Sequence, residues 1–114
     1  MAVNIILDKS KAFAVRVTKL YQHLSHEKKE FVLSKQVLRC GTSIGANVRE
    51  AHHGQSKRDF ISKMNIALKE AMETRYWLKL LKETDQFSED AIMNQSEEII
   101  RILIKIVKTA TLKE

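Results

Sequence analysis

Proline is absent from this chain of 114 residues, glycine occurs only three times, and cysteine is represented by Cys40 alone. Without proline, no residue forces a helix to break, and so little glycine leaves few of the turns that punctuate a sheet. The lone thiol excludes an internal disulfide framework and fits a reducing cytoplasm. Aromatic residues make up 6% of the chain, and no apolar run approaches the roughly 18 residues that span a bilayer, so a soluble protein without a membrane partner is expected. The N-terminal MAVNIILDKSK lacks the basic, long-apolar and small-residue regions of a secretory signal.

What is present is charge and helical periodicity. Twenty Lys and Arg against 14 Asp and Glu give a formal charge of +6, which favours anionic partners such as nucleic acid but says nothing about fold. The length suits one domain, 1–114, with no linker, internal repeat or low-complexity tract. Apolar residues recur at steps of three and four, and no period-2 strand is found.

Four helices are predicted, over 8–24, 27–53, 57–83 and 89–113. Phe13, Val17, Leu20 and Leu24 form the stripe of the first, with Asp8 placed at its positive end. Ser25 is positioned to cap the second, whose seam is Leu33, Val37, Cys40, Ile44, Val48 and Ala51, and Gly54 to end it in a left-handed conformation. Ser56 with Asp59 resembles a capping box opening the third, where Phe60, Met64, Ala67, Ala71, Leu78 and Leu81 share one face and Ile61, Leu68 and Met72 widen it. Ser88 is the predicted cap of the fourth, striped by Ile92, Ile99, Leu103, Ile106 and Ala110 and broadened by Ile100, Ile104 and Val107. Short connections predict an all-α, antiparallel up-down-up-down bundle.

The stretch SIGANVREAHHG places polar residues, paired histidines and a glycine inside the second helix. On a helical wheel Gln36, Arg39, Ser43, Asn47 and Glu50 fall within about 80° of one another beside the apolar seam. Asp59, Lys63, Glu70, Glu73, Thr74 and Trp77 form a matching stripe on the third helix. The two stripes are predicted to meet and set helix register, while Gly45 and Ala46 allow close approach of another helix.

Sharper chemistry finds less support. Glu50 and His53 have the Glu-x-x-His spacing of di-iron bundles, but no second such pair exists. His23, His26, His52, His53 and Cys40 lack the second thiol or the spacing of a zinc site. GTSIG lacks the Gly-Lys-Ser/Thr of a phosphate loop, and Ser43 has no triad. No enzymatic activity, metal, cofactor or small-molecule substrate is therefore expected. Basic stripes offer another role: Lys57, Arg58, Lys69, Arg75, Lys79 and Lys82 on the third helix and Arg101, Lys105 and Lys108 on the fourth are candidate phosphate contacts.

The combination LSKQVLRCGTSIGANVREA and SKRDFISKMNIALKEAMETRYWLKLL resembles the bacterial four-helix-bundle family encoded in intervening sequences of 23S ribosomal RNA genes, also labelled S23 ribosomal proteins. The matching positions are Gln36, Ser43, Ile44, Ala46, Asn47, Glu50 and Ala51, then Ser56, Asp59, Phe60, Lys63, Ala67, Lys69, Glu70, Ala71, Glu73, Thr74, Trp77 and Leu78. Glu50-Ala51 stands where many relatives have Glu-Gly. The resemblance implies a homo-oligomer, a ring of five, without known enzymatic activity. More distantly the chain resembles accessory proteins of diversity-generating retroelements, which implies binding to RNA or DNA and to a nucleic-acid-processing protein. The competing expectation is a protein–protein scaffold whose charge serves solubility.

Overall fold

A computed structural model of the protein describes residues 2–112. Its elements are α1 (Ala2–His26), α2 (Leu33–His52), α3 (Lys57–Glu83) and α4 (Ala91–Leu112), and no strand occurs among the described residues. They pack in a cycle, each helix against its chain neighbours and α1 closing on α4, in an antiparallel bundle of 47 × 20 × 20 Å. The α2–α3 contact is the most extensive and α1–α4 the least.

The core follows the predicted seams. Phe13, Val17 and Leu24 from α1, Val37, Ile44 and Val48 from α2, Met64, Leu78 and Leu81 from α3, and Ile92, Ile99 and Leu103 from α4 are all buried. At about 1.5–3 kcal/mol for each fully buried large apolar side chain, these positions provide the main drive for folding, opposed by chain entropy of similar size. Leu20, Leu33 and Phe60 sit at the margin, half-buried against the core.

Helix ends differ from expectation in instructive ways. α1 starts at Ala2, not at residue 8, because Ser10 and Ile6 extend the buried stripe about two turns upstream of Phe13, and Asp8 is an exposed residue inside the helix. Ser25 does not cap α2. It lies buried in the last turn of α1 and donates its hydroxyl to the Tyr21 carbonyl at 2.8 Å. The chain instead turns through Lys29, at φ 56°, and Glu30 accepts the amides of Val32, Leu33 and Ser34 at 3.1, 2.9 and 2.7 Å. Ser34 returns a hydrogen bond to the Glu30 carbonyl at 2.7 Å, which places the start of α2 at Leu33 and not at residue 27.

Of the expected capping box at the start of α3 one half forms: the Ser56 hydroxyl accepts from the Asp59 amide at 3.1 Å, while the Asp59 carboxylate makes no return bond to the Ser56 amide. α3 ends in a Schellman turn, in which Gln86 N–H donates to Leu81 O and Asp85 N–H to Lys82 O while Asp85 takes φ 61°. No glycine has positive φ, so Gly54 ends α2 without the left-handed conformation expected of it. α4 begins at Ala91 rather than residue 89, with no bond from the Ser88 side chain, and Phe87 in the connector packs partly buried against the core. The predicted end at residue 113 lies outside the described residues.

α1 and α2 meet at a glycine the sequence reading passed over. A Cβ at Gly41 would lie 2.8 Å from Val17 Cγ1 and 2.9 Å from Cγ2, whereas one at Gly45 would sit 3.5 Å from the Ser10 carbonyl, an ordinary contact. The tight approach therefore belongs to Gly41. Ala46, the other residue predicted to permit it, is exposed.

Two outcomes follow for stability, both measured by denaturant unfolding. Gly41→Ala should destabilise by about 1 kcal/mol net, since overpacking of about 1–3 kcal/mol exceeds the helix-propensity gain of about 1 kcal/mol; Gly45→Ala should be neutral or stabilising by up to about 1 kcal/mol. Burial pushes the Glu30 carboxyl up, but the amides of Leu33, Ser34 and Val32 outweigh it and hold the group below the ordinary carboxylate range. A depressed native value means that this cap contributes fully above the unfolded value and is lost as pH falls through the folded one. Glu30→Gln should cost about 1 kcal/mol near neutrality and flatten that acid-side loss.

Candidate functional site

The polar stripes of α2 and α3 do meet, along one edge of their interface. Arg39 is the hub: its guanidinium forms an ion pair with Glu73, approaches Glu70 at 3.7 Å, and donates to Gln36 Oε1 at 3.1 Å. Glu73 in turn accepts from the Trp77 indole N–H at 3.0 Å. About three turns further along α2, Glu50 pairs with Lys63 at 3.0 Å. The indole hydrogen bond, against the opposing effect of burial and together with Arg39, holds the Glu73 carboxyl below the usual carboxylate range.

Other members of the predicted stripes bond within their own helices. Ser43 donates to Arg39 O at 2.8 Å, Asn47 to Ser43 O at 2.9 Å, and Thr74, which is buried, to Glu70 O at 2.7 Å. Asp59 serves the α3 cap through its amide. Register between α2 and α3 thus rests on Arg39, Glu70, Glu73, Glu50 and Lys63, while Ser43, Asn47, Thr74 and Asp59 satisfy local backbone groups.

Around the residues weighed for chemistry the geometry is bland. Burial pushes the Cys40 thiol up, and its sulfur donates to Gln36 O, so it lacks the electropositive setting of a reactive thiolate. His52 and His53 are exposed at the end of α2 with their rings edge to face at 5.1 Å, and no cluster of three or more potential metal ligands occurs among the described residues. A groove of about 1110 Å³ between α1 and the start of α4 is lined by Val15, Leu20, Phe87 and Ile92 with Arg16, Lys19, His23 and Lys28. None of the predicted site residues lines it.

The candidate phosphate-binding residues divide into two groups. Arg75 is half-buried and pairs with Glu97 at 3.3 Å, and Lys82 pairs with Asp90, so both are engaged in joining α3 to α4. Lys57, Arg58, Lys69, Lys79, Arg101, Lys105 and Lys108 are exposed and make no ion pair among the described residues. Arg49 and Lys19, which are exposed and likewise free of ion pairs among the described residues, were missed because the basic residues of α1 and α2 are spaced among apolar and polar ones and form no dense basic stripe.

A bundle of this connectivity, with a charged α2–α3 seam and a cation-rich exterior, defines a class of small all-α proteins before any particular family. The 23S rRNA-intervening sequence protein family matches over residues 3–108, and the chain belongs to it. Among curated proteins none matches. Among solved structures the chain is similar to the crystal structure, at 1.70 Å resolution, of a protein with unknown function from the S23 ribosomal protein family of Bacteroides thetaiotaomicron. The two share 56% identity over 95% of this chain and 99% of that one, with a TM-score of 0.92. No helix among the described residues is long and apolar enough to cross a membrane.

The hub supplies a quantitative check. Arg39 and Glu73 side chains keep 51% and 35% of their exposure, so solvent screens the pair. A double-mutant cycle of Arg39→Ala and Glu73→Ala should give a coupling of roughly 0.5–1 kcal/mol, shrinking in high salt; an unchanged coupling in molar salt would show a drier contact than this one.

Proposed function

We propose that the protein is a non-enzymatic, cytoplasmic, homo-oligomeric module that binds RNA or DNA through its exposed basic residues. The observation that carries this reading is the set of cations, Lys57, Arg58, Lys69, Lys79, Arg101, Lys105 and Lys108, left on the surface after the bundle has used Arg39, Lys63, Arg75 and Lys82 to tie its helices together. Such cations contact phosphates without reading sequence and release counterions on binding.

Self-association is supported by apolar side chains that the monomer leaves in water. Ile66, Met72 and Tyr76 on α3 and Ile104 on α4 are 40%, 40%, 57% and 43% exposed. Met72 and Ile104 belong to the wide apolar arcs that exceed what a monomeric bundle buries, and a ring of subunits is the assembly that uses them. Repetition of a weak basic surface around a ring raises its effective concentration on a polyanion. A second reading, an oligomeric scaffold for a protein partner, keeps the same apolar faces and assigns the charge to solubility.

Light scattering and binding to a structured RNA and a DNA duplex across a salt series test both halves. The expected results are an oligomer at micromolar concentration, a shift towards monomer in Tyr76→Glu/Ile104→Glu, and affinity that falls steeply with salt. A stable wild-type monomer would remove the oligomer, and absence of binding even at low salt would favour the scaffold.

A further inference from the structure

Charge is unevenly distributed along the bundle. At the end where α2 finishes and α3 starts, Arg49, His52, His53, Lys57 and Arg58 are exposed. The register set by Arg75–Glu97 and Lys82–Asp90 brings the last turns of α4, with exposed Lys108, level with the first turns of α3. Acidic groups at this end are few among the described residues: Asp8 in the first turns of α1 is exposed, the Glu50 carboxylate is engaged by Lys63 at 3.0 Å, and Asp59 lies in the first turn of α3. The opposite end is different. There Glu27, Glu30, Glu83, Asp85, Glu89 and Asp90 are interspersed with Lys28, Lys29 and Lys82, and the potential is offset locally.

We infer that nucleic acid is held at the end of the bundle formed by the α2–α3 turn and the last turns of α4, through Arg49, Lys57, Arg58 and Lys108, with His52 and His53 beside them. This rests on the nucleic-acid reading above and adds where the contact is made. The face is about as wide as the bundle, 20 Å in each direction. Duplex DNA carries one phosphate charge per about 1.7 Å of axis, so roughly ten phosphates pass over such a face, enough to engage several cations at once. The long flanks are less suited. Lys69 and Lys79 are interrupted by exposed Met72 and Tyr76, Arg101 and Lys105 of α4 are interrupted by exposed Ile104, and Arg75 and Lys82 are already paired. In an oligomer that aligns its bundle axes, these ends come together on one rim, while the apolar flanks are taken up between subunits.

The decisive comparison uses two triple variants with the same change in net charge: Arg49→Glu/Arg58→Glu/Lys108→Glu at the end, and Lys11→Glu/Lys19→Glu/Lys35→Glu on the α1 and α2 flanks, outside both the proposed phosphate contacts and the apolar faces. Every substituted residue is exposed, and helicity and unfolding midpoint confirm the fold of each. Fluorescence anisotropy with an RNA hairpin and a DNA duplex is the readout, with the corresponding Gln triples as a milder second pair. The end variant should lose at least about tenfold in affinity at low salt and show a shallower salt slope, and the flank variant should stay within about threefold of wild type. Equal losses, or a larger loss from the flank variant, would overturn the location while leaving the binding function intact. Failure of the wild-type protein to bind either probe at low salt would overturn the nucleic-acid reading itself and leave the basic end to an acidic protein partner.

Discussion

The contact between Gly41 and Val17 is the constraint on which the rest of the bundle is arranged. With no Cβ at Gly41, the α1 and α2 backbones approach until Val17 fills the space a side chain would take. That contact sets the rotation of α2. One flank presses on α1, the seam of Val37, Ile44 and Val48 enters the core, and the opposite flank, carrying Arg39 and Glu50, is turned to α3. A helix rotated otherwise would bury a guanidinium or expose the seam, and both are costly.

Electrostatics then does different work in different places. Half-exposed ion pairs such as Arg39–Glu73 and Lys63–Glu50 are weak individually, yet they discriminate between registers, since a slip of one turn would separate opposite charges. The same economy of acidic residues has a consequence at the surface. Carboxylates are concentrated at the α1–α2 and α3–α4 turns, where Glu30 caps α2 and Asp90 engages Lys82. The turn between α2 and α3 is left basic.

Much of the fold was legible in the sequence because amphipathic periodicity is a local property. The seams of α2 and α3 and the Ser56 cap were readable from steps of three and four and from one hydroxyl before a helix. The ends of α1 and α2 were less so. Ser25 and Glu30 are both plausible caps by residue type, and the choice depended on how many residues the turn needs before α2 can lie against α1. Within the polar stripe, wheel positions showed that Arg39 and Glu50 share a face with Ser43 and Asn47, but not which of them have the reach to cross to another helix. The longer side chains cross; the shorter ones bond back to their own carbonyls.

The number of helices, the faces they bury and the family they belong to come from the order of residues alone, since each rests on spacing within a helix or on a motif along it. Which glycine admits its neighbour, which cations are consumed in ion pairs and which remain free, and which apolar residues still face water are decided by tertiary packing. These are relations between atoms distant in the chain. Gly41 and Gly45 have the same chemistry in sequence and differ in the distance to α1, as Arg75 and Arg101 differ in whether a carboxylate of the described residues lies within reach.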